Sequence, residues 1–90
     1  MKSDQWKLLV TSPARRDLDR LTEKTAGAVI EAIGKLVDNP RRLGKPLGND
    51  LEGCWALRRG PYRVIYLIDD QKRAVEVVAV GHRSDVYRRR

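Results

Sequence analysis

The chain has no phenylalanine, a single cysteine, Cys54, and a single histidine, His82. One cysteine excludes an intrachain disulfide, and one Cys with one His cannot enclose a zinc ion. Cys54 lies in an apolar-leaning segment, where a buried inert thiol is the ordinary reading and a nucleophile the exceptional one. No apolar run approaches the roughly 18 residues that a membrane helix needs. The amino-terminal MKSDQWKLLVTS carries too short an apolar run for a secretory signal, so a cytoplasmic location without a membrane partner is the expectation. A Ser-His-Asp set, internal repeats, low-complexity tracts and linkers are also missing. Gly44-Lys45-Pro46 is not a phosphate loop, because proline follows the lysine and no run of glycines precedes it.

What is present is charge. Ninety residues, 41% hydrophobic and 34% charged, make one folded domain over residues 1–90 with a single modest core. Nineteen Lys and Arg against twelve Asp and Glu leave a net charge of +7, a footprint suited to nucleic acid or to an acidic protein partner.

The order of elements follows from periodicity and turn chemistry. Gln5 to Thr11 reads as a strand with Trp6, Leu8 and Val10 on one side. Thr11-Ser12-Pro13 then supplies a hydroxyl cap and a proline at the first helical position. Over Ala14 to Lys24 the apolar positions Ala14, Leu18 and Leu21 recur at helical spacing, while Arg15, Arg16, Asp17, Asp19 and Arg20 take the outer side. A second helix, Ala26 to Asp38, presents Val29, Ile33, Leu36 and Val37 with Ile30 beside them, and Asn39-Pro40 ends it. The two helices, joined around Thr25 to Gly27, form a hairpin. Pro40 to Asp50 reads as a basic surface loop. Leu51 to Arg59, Tyr62 to Ile68 and Ala74 to Val80 then supply three strands. The expected class is α+β, in the order β-α-α-β-β-β: a small, mostly antiparallel sheet with the α-hairpin packed on one face.

The strand Tyr62 to Ile68 is apolar at both parities except for Arg63. A tight turn at Gly60-Pro61 sets Arg58 opposite Arg63, and a five-residue loop from Asp69 to Arg73 sets Ala79 opposite it on the other side. Arg58, Arg63 and Ala79 then share a face, and Gly81 and Arg83 continue that parity. Like charges directly opposite destabilise a sheet. Either the arginines splay into water, or an anion sits among them, with phosphate the simplest candidate.

Arginines, lysines, one histidine and tyrosines form a poor set for peptide or ester hydrolysis. They suit phosphoryl chemistry on RNA, where the substrate brings its own 2′-hydroxyl nucleophile. The protein need only align that oxygen, neutralise the phosphate and move two protons. In Gly81-His82-Arg83-Ser84-Asp85-Val86-Tyr87, His82 is either an acid–base group or a hydrogen-bonded turn residue. Tyr87 is a proton donor, a stacking platform or a packing residue. Lys45 is either a substrate contact or merely solvated. Arg88 to Arg90 read as a tail with general phosphate affinity, and Arg15, Arg16 and Arg20 as a solvated helix face.

Several blocks resemble the bacterial RelE/ParE superfamily of type II toxins, most closely its RelE-like mRNA interferases, over essentially the whole chain. They are Trp6 in the first strand, the Ala14-to-Leu21 helix, Asn39-Pro40, Leu51-Glu52-Gly53-Cys54-Trp55-Ala56-Leu57-Arg58, Tyr62-Arg63-Val64-Ile65-Tyr66, and Val80 through Tyr87. The resemblance implies a cytoplasmic toxin, without a cofactor or metal, that cleaves mRNA in the ribosomal A site through its 2′-hydroxyl. It also implies a cognate antitoxin, laying an acidic segment over the basic sheet face in a toxin–antitoxin hetero-oligomer. Carried over by position, Arg63 stabilises the phosphate transition state, Arg83 holds or polarises the phosphate, Tyr87 transfers a proton or stacks, and His82 sits beside the scissile phosphate. Arg58, Arg59, Lys45 and Arg88 are the expected substrate-binding cations around them. The best known member carries two functional lysines on the strand leading to the hairpin, where this sequence has Cys54 and Ala56. The missing base or charge source then falls to Lys45, Arg58 or His82. The ParE branch of the same superfamily poisons DNA gyrase by protein contact, and a non-catalytic nucleic-acid binder is a third possibility.

Overall fold

The computed structural model describes residues 6–48 and 51–88. Its elements run β1 (Lys7–Val10), α1 (Ser12–Asp19), α2 (Glu23–Gly34), a 3₁₀ turn (Lys35–Val37), α3 (Pro40–Leu43), β2 (Lys45–Pro46), β3 (Trp55–Arg59), β4 (Tyr62–Asp69), β5 (Ala74–His82) and a last 3₁₀ turn (Val86–Arg88). The strands form one sheet in the order β1-β5-β4-β3-β2, with β1 parallel to β5 and the other neighbours antiparallel. The α+β expectation holds. Its one amendment lies in the segment expected to be a loop, which contains a helical turn and a short edge strand. Gln5, Asn49, Asp50, Arg89 and Arg90 fall outside the described residues, as does the side chain of Arg88.

Local chemistry moves the helix boundaries. The first helix stops at Asp19 rather than Lys24, and the second begins at Glu23 rather than Ala26. Thr22 sets that start: its hydroxyl oxygen accepts the Thr25 N–H at 3.2 Å, and Glu23 places a negative charge in the first turn. Thr11 stands at the N-cap of α1, yet its hydroxyl donates to the Val77 carbonyl at 2.9 Å instead of capping the helix.

Both helices lie on one face of the sheet. Ala14, Val29, Ile33 and Leu36 pack with Leu57, Val64, Tyr66, Val75, Val77 and Val80 in a single buried cluster. Each fully buried aliphatic side chain contributes on the order of 2 kcal/mol. Tyr66 is wholly buried, and its hydroxyl donates to the Pro40 carbonyl at 2.6 Å, which ties α3 to the sheet. Gly44, next along, has no room for a Cβ, which would collide with the Tyr66 hydroxyl and lie 2.9 Å from the Ala56 carbonyl oxygen.

Asp17 is a correction. Expected on the solvated side of α1, it is only 6% exposed, and its Oδ2 accepts the Val80 N–H at 2.9 Å. The cause is the short β1. After Val10 pairs with Val77, β5 has no strand on its outer side, so a helix carboxylate takes the N–H that a ladder would have taken.

The register of the central hairpins decides what faces outward. Gly60, at φ +59°, makes the tight turn, and Arg58 is paired with Arg63 as expected. On the other side Arg63 faces Gly81, not Ala79. Two one-residue differences account for this. The β4–β5 loop is a residue shorter than expected, Asp69 pairing with Ala74, and a bulge where the register shifts at Ile65/Tyr66 leaves Val78 unpaired. The first difference alone would exchange the faces of β5; the second restores them.

Candidate nucleic-acid interface

The sheet face away from the helices carries Ala56 and Arg58 from β3, Arg63 and Ile65 from β4, and Ala79 and Gly81 from β5, by the register just described. At one end of this face lies a cleft of about 480 Å³, within the size range of ligand sites. Ala56, Arg58 and Arg63 form its floor; Leu43, Lys45, Pro46 and Leu47 form one wall, and Tyr87 stands on the other side. Among the described lining residues are three cations and no carboxylate.

Each of these side chains has a local reason to be there. Lys45 lies directly across from Ala56 in the β2–β3 ladder, so its ammonium enters the cleft beside the position where a lysine on β3 was expected and is absent. Arg63 is half-buried and held by backbone oxygens at the β3–β4 turn, Nη1 donating to Gly60 at 2.9 Å and to Tyr62 at 3.0 Å. Both bonds use one nitrogen, and Nε and Nη2 remain for a ligand. Tyr87 arrives on the last 3₁₀ turn, which is fastened by Val86, 4% exposed and packed so tightly over Gly81 that an added Cβ would stand 3.3 Å from the valine Cβ.

The remaining expected residues are placed differently. Arg83 donates its N–H to the Pro61 carbonyl at 2.8 Å, extending the β4–β5 ladder by one residue. It stands in the turn that follows β5, exposed and outside the cleft lining. His82 is paired with Tyr62 and meets its ring edge-on, centroids 5.7 Å apart. That is the helix side of the sheet, where Tyr62 shares a hollow with Thr25, Ala28 and Val29. Arg59 is on that side as well, its Nε 3.4 Å from the Ala28 carbonyl. The structure thus brings together Lys45, Arg58, Arg63 and Tyr87, has Arg83 in the exposed turn after β5 outside that lining, and leaves His82 and Arg59 on the opposite face.

Sequence reasoning missed the apolar wall. Leu43, Pro46 and Leu47 were part of a basic loop, and their signal was two leucines bracketing Gly44-Lys45-Pro46 at a spacing that a short strand can use. α3 is further secured by Arg41, which grips Asp70 with two bonds of 3.0 and 2.7 Å across the surface. The Arg41 hydrogen bond holds the Asp70 carboxyl below its ordinary pKa.

A small basic α+β domain with this cleft corresponds to a known class of protein. Residues 8–87 match the family model described as ParE toxin of type II toxin-antitoxin system, parDE. Toxin RelE of Mycobacterium tuberculosis (strain ATCC 25618 / H37Rv) is 51% identical over 84 residues, 92% of this chain and 87% of the relative. Toxin RelG of the same organism is 48% identical over 80 residues, 88% of this chain and 92% of the relative. Among solved structures, the toxin–antitoxin complex RelBE2 from Mycobacterium tuberculosis superposes with a TM-score of 0.83 at 42% identity, covering 93% of this chain and 98% of its counterpart. By class the protein is therefore a type II toxin. The chain belongs to the ParE toxin family within the RelE/ParE superfamily, and it is RelE-like.

Proposed function

We propose that this toxin is a metal-independent endoribonuclease that cuts mRNA in the ribosomal A site, working in the cytoplasm and silenced by a cognate antitoxin. The observation that carries this reading is the cleft in which Lys45, Arg58 and Arg63 converge with Tyr87 and no described carboxylate intervenes. Such a site is costly to leave empty, because Arg58 and Arg63 are direct cross-strand partners. A phosphodiester relieves that repulsion.

In the reaction the 2′-hydroxyl gives up its proton as its oxygen bonds to the adjacent phosphorus, and the departing 5′-oxygen takes up a proton as its bond to phosphorus breaks, giving a 2′,3′-cyclic phosphate and a 5′-hydroxyl with no net change in protons. Arg63, fixed through Nη1, offers its remaining N–H groups to the phosphoryl oxygens as charge builds, and Arg58 at the floor and Arg83 from the turn after β5 add neutralising charge. Lys45 stands beside Ala56 as an ammonium near the leaving oxygen. The Tyr87 hydroxyl supplies or relays a proton, or its ring stacks on a base. Arg59, from the other face, and Arg88, at the end of the last 3₁₀ turn, add general affinity for ribosomal RNA.

The RelBE2 structure is of a toxin with its antitoxin, which supports an antitoxin partner here, in a hetero-oligomer whose acidic segment competes with RNA for the cleft. Primer extension on mRNA from translating ribosomes mixed with the purified chain tests the reading. Cuts at fixed codon positions are expected, lost in Arg63→Ala and retained in Arg16→Ala, whose side chain is exposed on α1. Intact mRNA together with stabilised gyrase–DNA breaks would establish the second reading, a gyrase poison, which the ParE name of the matched family favours.

A further inference from the structure

We infer that His82 is a positioning residue: a neutral imidazole whose Nδ1 holds the turn that presents Arg83 and Tyr87. The inference rests on the nuclease reading only for its activity readout. The Ser84 backbone N–H donates to Nδ1 at 3.1 Å, and Ser84 Oγ lies 2.8 Å from the same nitrogen. A backbone N–H can only donate, so Nδ1 carries a lone pair and the ring proton belongs to Nε2. This is the chemistry of an Asx turn, with imidazole in place of a carboxamide. Around it the Arg83 N–H reaches the Pro61 carbonyl and the Asp85 N–H reaches the His82 carbonyl, each at 2.8 Å. The turn then delivers Val86 onto Gly81 and Tyr87 into the cleft. The imidazole itself faces Tyr62, on the side of the sheet away from Arg63. It therefore acts through its neighbours and does not exchange protons with a bound phosphodiester.

His82→Asn and His82→Ala in the full chain separate the alternatives, because an asparagine carbonyl reproduces the Nδ1 acceptor but neither variant can act as an acid–base group near neutral pH. In the parent, nitrogen NMR should show Nδ1 unprotonated. The Ser84, Val86 and Tyr87 amide resonances should stay close to the parent's in His82→Asn and move or broaden in His82→Ala. Cleavage should remain within about threefold of the parent in His82→Asn and fall about 10- to 100-fold in His82→Ala, the loss that displacement by about an ångström produces. A proton on Nδ1 would overturn the inference. So would unchanged Val86 and Tyr87 resonances in a folded His82→Ala, or a His82→Asn as inactive as His82→Ala while its resonances match the parent's. A parent that cuts no mRNA would sink the nuclease reading alone, since the resonances still decide the positioning.

Discussion

Removal of one oxygen atom, in Tyr66→Phe, tests how the cleft's wall is attached. The Tyr66 hydroxyl is buried and donates to the Pro40 carbonyl at 2.6 Å. Leaving that carbonyl unpaired in the core costs about 1–3 kcal/mol, which in a domain of this size lowers the melting temperature by about 4–8 °C per kcal/mol. The pH dependence is more diagnostic. Burial pushes the Tyr66 hydroxyl from 10.0 up to about 12, so the folded protein disfavours tyrosinate more than the unfolded chain does. A pKa raised on folding contributes stability that is complete below pH 10 and is lost as pH rises toward 12; two units correspond to about 2.7 kcal/mol. The parent's advantage over Tyr66→Phe should therefore shrink by that amount between pH 10 and 12, and the two stability curves should converge or cross. Urea unfolding at a series of alkaline pH values measures the difference, with absorbance near 295 nm following tyrosinate. Parallel curves over this range would show that Tyr66 ionises as freely folded as unfolded, and would refute the claim that this buried hydroxyl ties α3 to the sheet.

Asp17→Ala should destabilise the fold by about 1–3 kcal/mol through an orphaned Val80 N–H, whereas Asp17→Asn, which keeps an acceptor, should lose less; amide exchange at Val80 distinguishes this local cause from general loosening. Gly44→Ala should cost about 1–3 kcal/mol, because its methyl group meets the Tyr66 hydroxyl and the β3 backbone. Its urea midpoint should fall below that of Gly48→Ala, a position where a Cβ meets nothing within 4 Å.

The features legible in the sequence were those with local causes. A tight turn at Gly60-Pro61 gave the Arg58–Arg63 pairing, with a one-residue slip there the alternative that would have moved Arg58 to the other face, and the alternation of Trp55 and Leu57 told which face of β3 is covered. Features that depend on distant partners were not legible. Asp17 looks like any exposed helix acid until β1 proves too short to reach Val80. β2 forms where Gly44 lets the chain come close to the Ala56 carbonyl of β3 while Tyr66 of β4 holds α3 through Pro40, and neither residue marks a two-residue strand by itself. The pairing of Arg63 with Gly81 rather than Ala79 follows from a shorter loop and a bulge that leave no mark in a run of valines, although the side on which His82 lies agrees with the expected parity. Strand parity singled out Arg63 and the closing segment singled out Tyr87, and family resemblance added the roles expected of them; their arrangement came from register and from the packing of Val86 on Gly81.

The facing arginines of β3 and β4 have a thermodynamic corollary. Arg58 and Arg63 are direct cross-strand partners, and like charges so placed weaken a sheet, so a polyanion that binds the folded chain across them raises its free energy of unfolding. A protein inhibitor that covers this patch with carboxylates would silence the toxin and protect it from heat and proteolysis in the same act. Degradation of that inhibitor would then release a molecule both active and less durable.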